Sequence, residues 1–133
     1  MRAYAGHPLE DDWMDFAHRA LAAHFEAGQG HLYVVANSMQ PEFHKVGMTR
    51  RAPEARLAEL NNEAVVGELF LVQSWWVYDR HHLERLAHRA LAAYPRFKEF
   101  FKAPWQEVLP RVQTVLDRDR ATLEKAGISP PSG

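Results

Sequence analysis

The spacing of apolar and polar positions divides the chain into a helix, two short strands, a short helix, a long strand and two further helices. Over residues 9–26, Trp13, Phe16, Ala17, Ala20, Leu21 and His24 recur at i, i+3, i+4, i+7 and i+8, which predicts one face of an amphipathic helix. Acidic residues crowd its first turn, and Gly28 and Gly30 are placed to end it. His31–Ala36 is rich in Val and Tyr and predicts a strand, Asn37–Pro41 a loop, and His44–Met48 a second strand. The two strands are expected to pair as an antiparallel hairpin with a long loop. Gly47 is expected to let the backbone turn sharply or approach a ligand closely.

Pro53 suits a first helical position, so Pro53 to Asn61 predicts a short helix with Leu57 and Leu60 inward. The near-continuous apolar run Glu68–Tyr78 predicts a strand buried on both faces. Arg80–Tyr94 predicts a helix with Leu83, Leu86, Ala87, Ala90, Leu91 and Tyr94 as its apolar stripe; Glu84 and His88 lie along the stripe's edge. Phe97–Phe101 is read as a short extended segment. Pro104 to Ala126 predicts a last helix with Val108, Val112, Val115 and Leu116 inward, and Pro110 is expected to kink or split it. The fold class that follows is α/β: a small, mainly antiparallel sheet of three strands flanked by helices, with an extra N-terminal helix and a long C-terminal helix. Residues 1–29 read as the helical extension, 30–126 as the domain, and 127–133 as a disordered Pro/Ser tail. The segment AHRALAA occurs at 17–23 and 87–93, but its flanks do not match, so two Ala-rich amphipathic helices converge on it.

Composition narrows the class. Of 133 residues, 47% are apolar and 25% charged, as in ordinary globular proteins. The absence of cysteine excludes disulfides and thiolate metal sites. No apolar run approaches the ~20 residues that span a bilayer, and no signal-peptide core is present, so no membrane association and a cytoplasmic location are expected. The net charge of −1 conceals an uneven distribution. In residues 1–28, Arg2 and Arg19 against Glu10, Asp11, Asp12, Asp15 and Glu26 leave −3. In 44–56, Lys45, Arg50, Arg51 and Arg56 against Glu54 leave +3. In 80–102, six Lys and Arg against Glu84 and Glu99 leave +4. Basic charge around the central motifs suits an anionic ligand such as nucleic acid, although two solvated helix faces would show the same numbers.

The order of chemical groups is strand with Tyr33, strand with Lys45-Val46-Gly47, helix with Arg56, apolar strand, helix with Glu84. This order resembles the GIY-YIG nuclease superfamily, and is most similar to its phage-type branch that includes the meiotically-up-regulated-gene-113-like domains. The resemblance covers about residues 30–116. HLY (31–33) stands where GIY would stand and KVG (45–47) where YIG would stand. The run from Thr49 to Arg56 resembles the family's turn and arginine helix, Glu84-x3-His88 its glutamate helix, and Glu99-Phe100-Phe101 a motif of that branch. Two positions depart from the pattern: His31 replaces the first glycine and Lys45 the second tyrosine.

The resemblance implies metal-dependent phosphodiester hydrolysis, with Tyr33, Lys45, Arg56, His88 and Glu84 as catalytic residues converging on one basic cleft. Glu84 would hold Mg²⁺ or Mn²⁺, since Mg²⁺ often takes one or two protein carboxylates and keeps its waters. His44, Lys45, Arg50, Arg51 and Arg56 would contact nucleic acid, expected to be DNA, with the planar fork of Arg56 holding phosphate oxygens. Tyr33 would position the water or take its proton; an ordinary tyrosine titrates near ~10, so a basic role calls for nearby cations such as Lys45 and Arg56. Glu99 would support the site from behind, unless it is only structural. Ordinary readings compete with each role: Tyr33 packed, Arg56 solvated, Glu84 and His88 a surface pair contributing ~0.2–0.5 kcal/mol. Three functions follow in order of preference. The first is an endonuclease. The second is a nucleic-acid-binding module that does not cut. The third is a protein-interaction or regulatory domain whose acidic N-terminal helix covers the cleft or pairs between subunits of a homodimer.

Overall fold

The structure, a computed structural model, describes residues 20, 21, 23–62 and 67–128. Most of the expected N-terminal helix, including its acidic first turn, and most of the expected tail lie outside the described residues. The described end of that helix, α1 (residues 23–28), runs through Gly28, while Gly30 already belongs to a strand.

Five strands form one sheet: β1 (Gly30–Asn37), β2 (Gln40–Thr49), β3 (Leu69–Val77), β4 (Arg96–Phe97) and β5 (Phe100–Lys102). Their order is β3-β1-β2-β5-β4, with every neighbouring pair antiparallel. Three helices accompany them: α2 (Pro53–Asn61), α3 (Arg80–Ala90) and α4 (Trp105–Lys125).

The sheet therefore has five strands where three were expected. The extra pair is the FKEFF segment, which is a hairpin and not a single extended stretch. Its two-residue turn is Lys98-Glu99, with Lys98 at φ +56°. Turns of this kind usually advertise themselves with Gly or Asn at the positive-φ position, and here lysine occupies it. The β1–β2 connection is also tighter than expected, because only Ser38 and Met39 separate the strands and the Asn37 side chain accepts the Met39 N–H at 2.8 Å.

Because side chains alternate along a strand, the sheet has two faces and two cores. On one, Leu32, Val34, Val46, Trp75, Val77 and Phe101 pack against α3 and α4 through Leu83, Ala87, Val108, Val112 and Leu116. On the other, Tyr33, Val35 and Leu69 pack with Leu60 of α2. Burying each such side chain contributes roughly 1.5–3 kcal/mol. The strand buried on both faces is β1, not β3. β3 lies at the sheet edge, and Phe70 in it is 47% exposed. Its long apolar run serves one large core and one small one, with a register shift opposite Val34 and Val35. Asn61 ties β3 to α2, donating to the Leu69 carbonyl and accepting the Leu69 N–H.

α3 starts at Asp79, whose side chain accepts the His82 N–H at 3.2 Å. It ends at Ala90, four residues before the expected Tyr94, although Leu91 remains fully buried. α4 is one continuous helix through Pro110. A proline at the sixth position removes one donor near the helix start, and the expected split does not occur. Gln113 accepts the Trp75 indole N–H at 3.0 Å, fixing α4 to β3.

His44, expected to meet nucleic acid, is buried in the structure. It is 1% exposed and lies on the α3–α4 side, with Nδ1 2.7 Å from the Ala103 carbonyl oxygen. Alternation along β2 decides the matter, since neighbouring Lys45 faces the other way. Desolvation holds the His44 ring below the usual histidine range, against an opposing upward pull from its bond to Ala103. The unfolded chain then takes up a proton that the fold refuses. The corresponding stability is complete above the unfolded value of ~6.5 and is lost as pH falls below it. An NMR titration of the His44 ring is expected to give a midpoint below ~6.5, accompanied by falling urea resistance from pH 7 to 5. A midpoint at or above the ordinary value would contradict this placement.

Candidate functional site

The face opposite α3 and α4 carries most of the candidate site residues. In the β1–β2 ladder Tyr33 pairs with Gly47, Val35 with Lys45, and His31 with Thr49. These residues share one face. The Tyr33 ring lies across Gly47: a Cβ there would sit 2.9 Å from Tyr33 Cε1 and nearer still to the ring's hydroxyl end. Glycine thus seats a cross-strand aromatic ring inside the strand, and the sharp turn expected at Gly47 does not occur.

The hydroxyl end of the seated ring lies beside Arg56, one turn into α2. The Arg56 guanidinium donates to Glu59 at 3.1 Å. Tyr33 first, and then Glu59, hold its pKa above the already high arginine range. Glu59 accepts from Arg51 as well, at 2.6 Å, and the two arginines, Arg51 first, keep its carboxyl below the usual range. Thr49 Oγ1 accepts the Arg51 N–H and shapes the connection from β2 to α2. Arg50 is exposed on that connection.

Lys45 stands two residue pairs along from the Tyr33–Gly47 pair, on the same face. Its side chain is 10% exposed, yet its ammonium reaches Glu99 Oε2 at 2.8 Å. Glu99 sits on the β4–β5 turn with its side chain 70% exposed. The Lys45 hydrogen bond, and then the fields of Lys45, Arg56 and Arg96, hold the Glu99 carboxyl below its usual range. Arg96 itself stacks over Phe101 at 4.8 Å and donates to the Lys98 carbonyl.

Tyr33, Lys45, Arg56 and Glu99 are therefore brought onto one face. Glu84 and His88 come from α3, in the layer behind the sheet. His88 bonds the Val46 carbonyl at 2.7 Å, and its ring lies 5.5 Å from that of Phe101. At the other end of α3, Arg80 holds the Ala27 and Gln29 carbonyls. Glu84 lies between these anchors, half-buried, and among the described residues no hydrogen bond or ion pair links it or His88 to Tyr33, Lys45 or Arg56. No group of three or more metal-ligating side chains occurs among the described residues. Two concavities lie elsewhere among the described residues: about 470 Å³ between α3 and α4 beside Leu86 and Arg118, and about 620 Å³ beside Phe70 and Trp105.

Two participants were not anticipated. Glu59, which holds Arg51 and Arg56, had a visible signal in its i+3 spacing from Arg56. Arg96 had none, because the hairpin that carries it was not foreseen.

A sequence model of the T5orf172 domain matches residues 30–116. No curated protein and no solved structure matches the chain. No helix among the described residues is long and apolar enough to cross a membrane.

Filling the space above Gly47 should displace the tyrosine. Gly47→Ala is expected to cost about 1–3 kcal/mol in urea unfolding, the usual range for overpacking. In a double-mutant cycle with Tyr33→Ala most of that cost should vanish. An equal cost in both backgrounds would mean that the ring does not occupy this space.

Proposed function

The chain belongs to the T5orf172 domain family, a GIY-YIG-like, nuclease-associated domain, and on that premise we propose that it is a metal-dependent endonuclease acting on DNA. The observation that carries this reading is the β1–β2 register, which sets the Tyr33 ring across Gly47 and Lys45 opposite Val35 on the face that α2 and Arg56 adjoin. In-line attack on a phosphodiester requires a positioned water and a clamp on the phosphate charge. Arg56 presents a planar fork to two non-bridging oxygens. Lys45 adds a point charge from a stem fixed by burial. Tyr33 orients the water through a hydroxyl that cannot swing away, because its ring is wedged across Gly47.

Glu84 is the candidate metal ligand. A half-buried carboxylate with no partner among the described residues is suitable for Mg²⁺ or Mn²⁺, which need few protein oxygens. Such an ion would supply charge neutralisation to a phosphodiester that reached the α3 side of the sheet as well as the Arg56 face. His88, fixed to Val46 one turn further along α3, orients that stretch of the helix.

A second reading is a module on the same face that grips nucleic acid without cutting it. It is favoured by Lys45, which stands where the resemblance places a tyrosine. Plasmid relaxation separates the two. With Mg²⁺ or Mn²⁺ the wild type is expected to nick supercoiled DNA, Glu84→Ala to lose about 10²–10³-fold, and Arg56→Lys to be impaired despite its retained charge. Undiminished nicking by folded Glu84→Ala would remove Glu84 from the mechanism. No nicking by folded wild type, with salt-sensitive DNA binding retained, would select the second reading.

A further inference from the structure

Lys45 raises a question that the clamp alone does not answer. Lysines are seldom buried without an anion beside them. Here the anion is a carboxylate that is itself mostly in water, on the turn of a small peripheral hairpin. The turn adopts its shape with Lys98 in the left-handed region, where a non-glycine residue is strained. Glu99 thus reaches inward from an exposed turn to a buried lysine, and the field of Arg56 acts on the same carboxylate.

We infer that Glu99 fills the phosphate seat of Lys45 and Arg56 in the free protein, and that a nucleic-acid phosphate displaces it. This rests on the phosphate-handling reading above and adds a resident competitor to it. The exchange is chemically even. Lys45 Nζ would trade a carboxylate oxygen at 2.8 Å for a phosphodiester oxygen, keeping a charge-assisted bond and never lying buried and unpaired. Glu99 needs no new partner when displaced, because water already reaches it. The resident carboxylate also discriminates: a ligand must out-compete it, so weakly charged or poorly fitting anions are rejected while a phosphodiester with further contacts on Arg50 and Arg51 is admitted. The same carboxylate would have a different role if it were there to hold Lys45 in position. Removing its charge would then weaken binding.

The test uses fluorescence anisotropy of a labelled DNA oligonucleotide in EDTA, so that binding is read without cleavage. Glu99→Gln is expected to bind about fivefold to tenfold tighter than wild type, while Glu54→Gln, an exposed charge on α2, should gain less than about twofold, because contact electrostatics exceed screened ones. In a Lys45→Met background, which keeps the buried stem, the Glu99→Gln gain should largely disappear. Thermal melting of each variant confirms the fold. Unchanged or weaker binding by folded Glu99→Gln, with wild type binding well, overturns the exchange and leaves the phosphate-handling reading standing. An equal gain from Glu54→Gln also overturns it, since bulk charge would then explain the effect. Failure of all folded variants to bind at low salt overturns both.

Discussion

The register in which β1 pairs with β2 decides which side chains meet on the open face and which are given to the core. With Tyr33 opposite Gly47 and Val35 opposite Lys45, the tyrosine, the lysine and α2 share one side. Val34, Val46 and His44 take the other. A slip of one residue would send Lys45 into the apolar layer and bring Val46 out, so the hydrophobic cost of misregister is also the guarantee of the site. Two contacts secure it from opposite sides of the sheet. The Tyr33 ring fits only over a residue without a side chain, and the His44 ring fits only beside the Ala103 carbonyl. The alternate residues of β1 and β2 therefore serve the core on one side and the candidate site on the other.

Charge on the open face is arranged in pairs and triplets, not as a bare basic patch. Arg51 and Arg56 share Glu59, Lys45 has Glu99, and Arg56 leans on the Tyr33 oxygen. Each cation is held in position before any ligand arrives. Side-chain entropy that a free arginine or lysine would surrender on binding has already been lost in folding. Exposed pairs of this kind add little to stability, and their value lies in geometry.

Much of this was legible before any coordinates. The strand containing Tyr33, the Pro53 helix with Arg56 one turn in, and the helix bearing Glu84 and His88 each had a strong local signature, and the T5orf172 match spans them all. What was missed had weak local signals or depended on tertiary context. Lys98-Glu99 gives no glycine or asparagine to mark a turn, so the hairpin and Arg96 with it went unseen. An apolar run cannot say whether a strand is central or at an edge, and β3 is at the edge because β1 takes two partners. The side to which His44 points follows from register, which no single strand encodes. Pro110 was expected to break α4, but at the helix's sixth residue it removes a single donor and the rest of the ladder continues.

The β4–β5 hairpin is joined to the rest of the sheet by only three residue pairs along β2, from Phe43 to Lys45. Its tip holds a backbone conformation that most lysines avoid. Local opening begins where little is packed and something is strained; Phe101 anchors β5 in the larger core, so opening is expected at β4 and the turn, where Arg96, Phe97 and Lys98 are exposed. Glu99 rides on that turn, so under the exchange inferred above the turn alone has to move for the open face to become vacant. The central strands can stay fully formed throughout. Occupancy of the face is in this way separated from the integrity of the fold, and a change in the turn could retune how fast the protein engages a ligand without touching a residue that holds it.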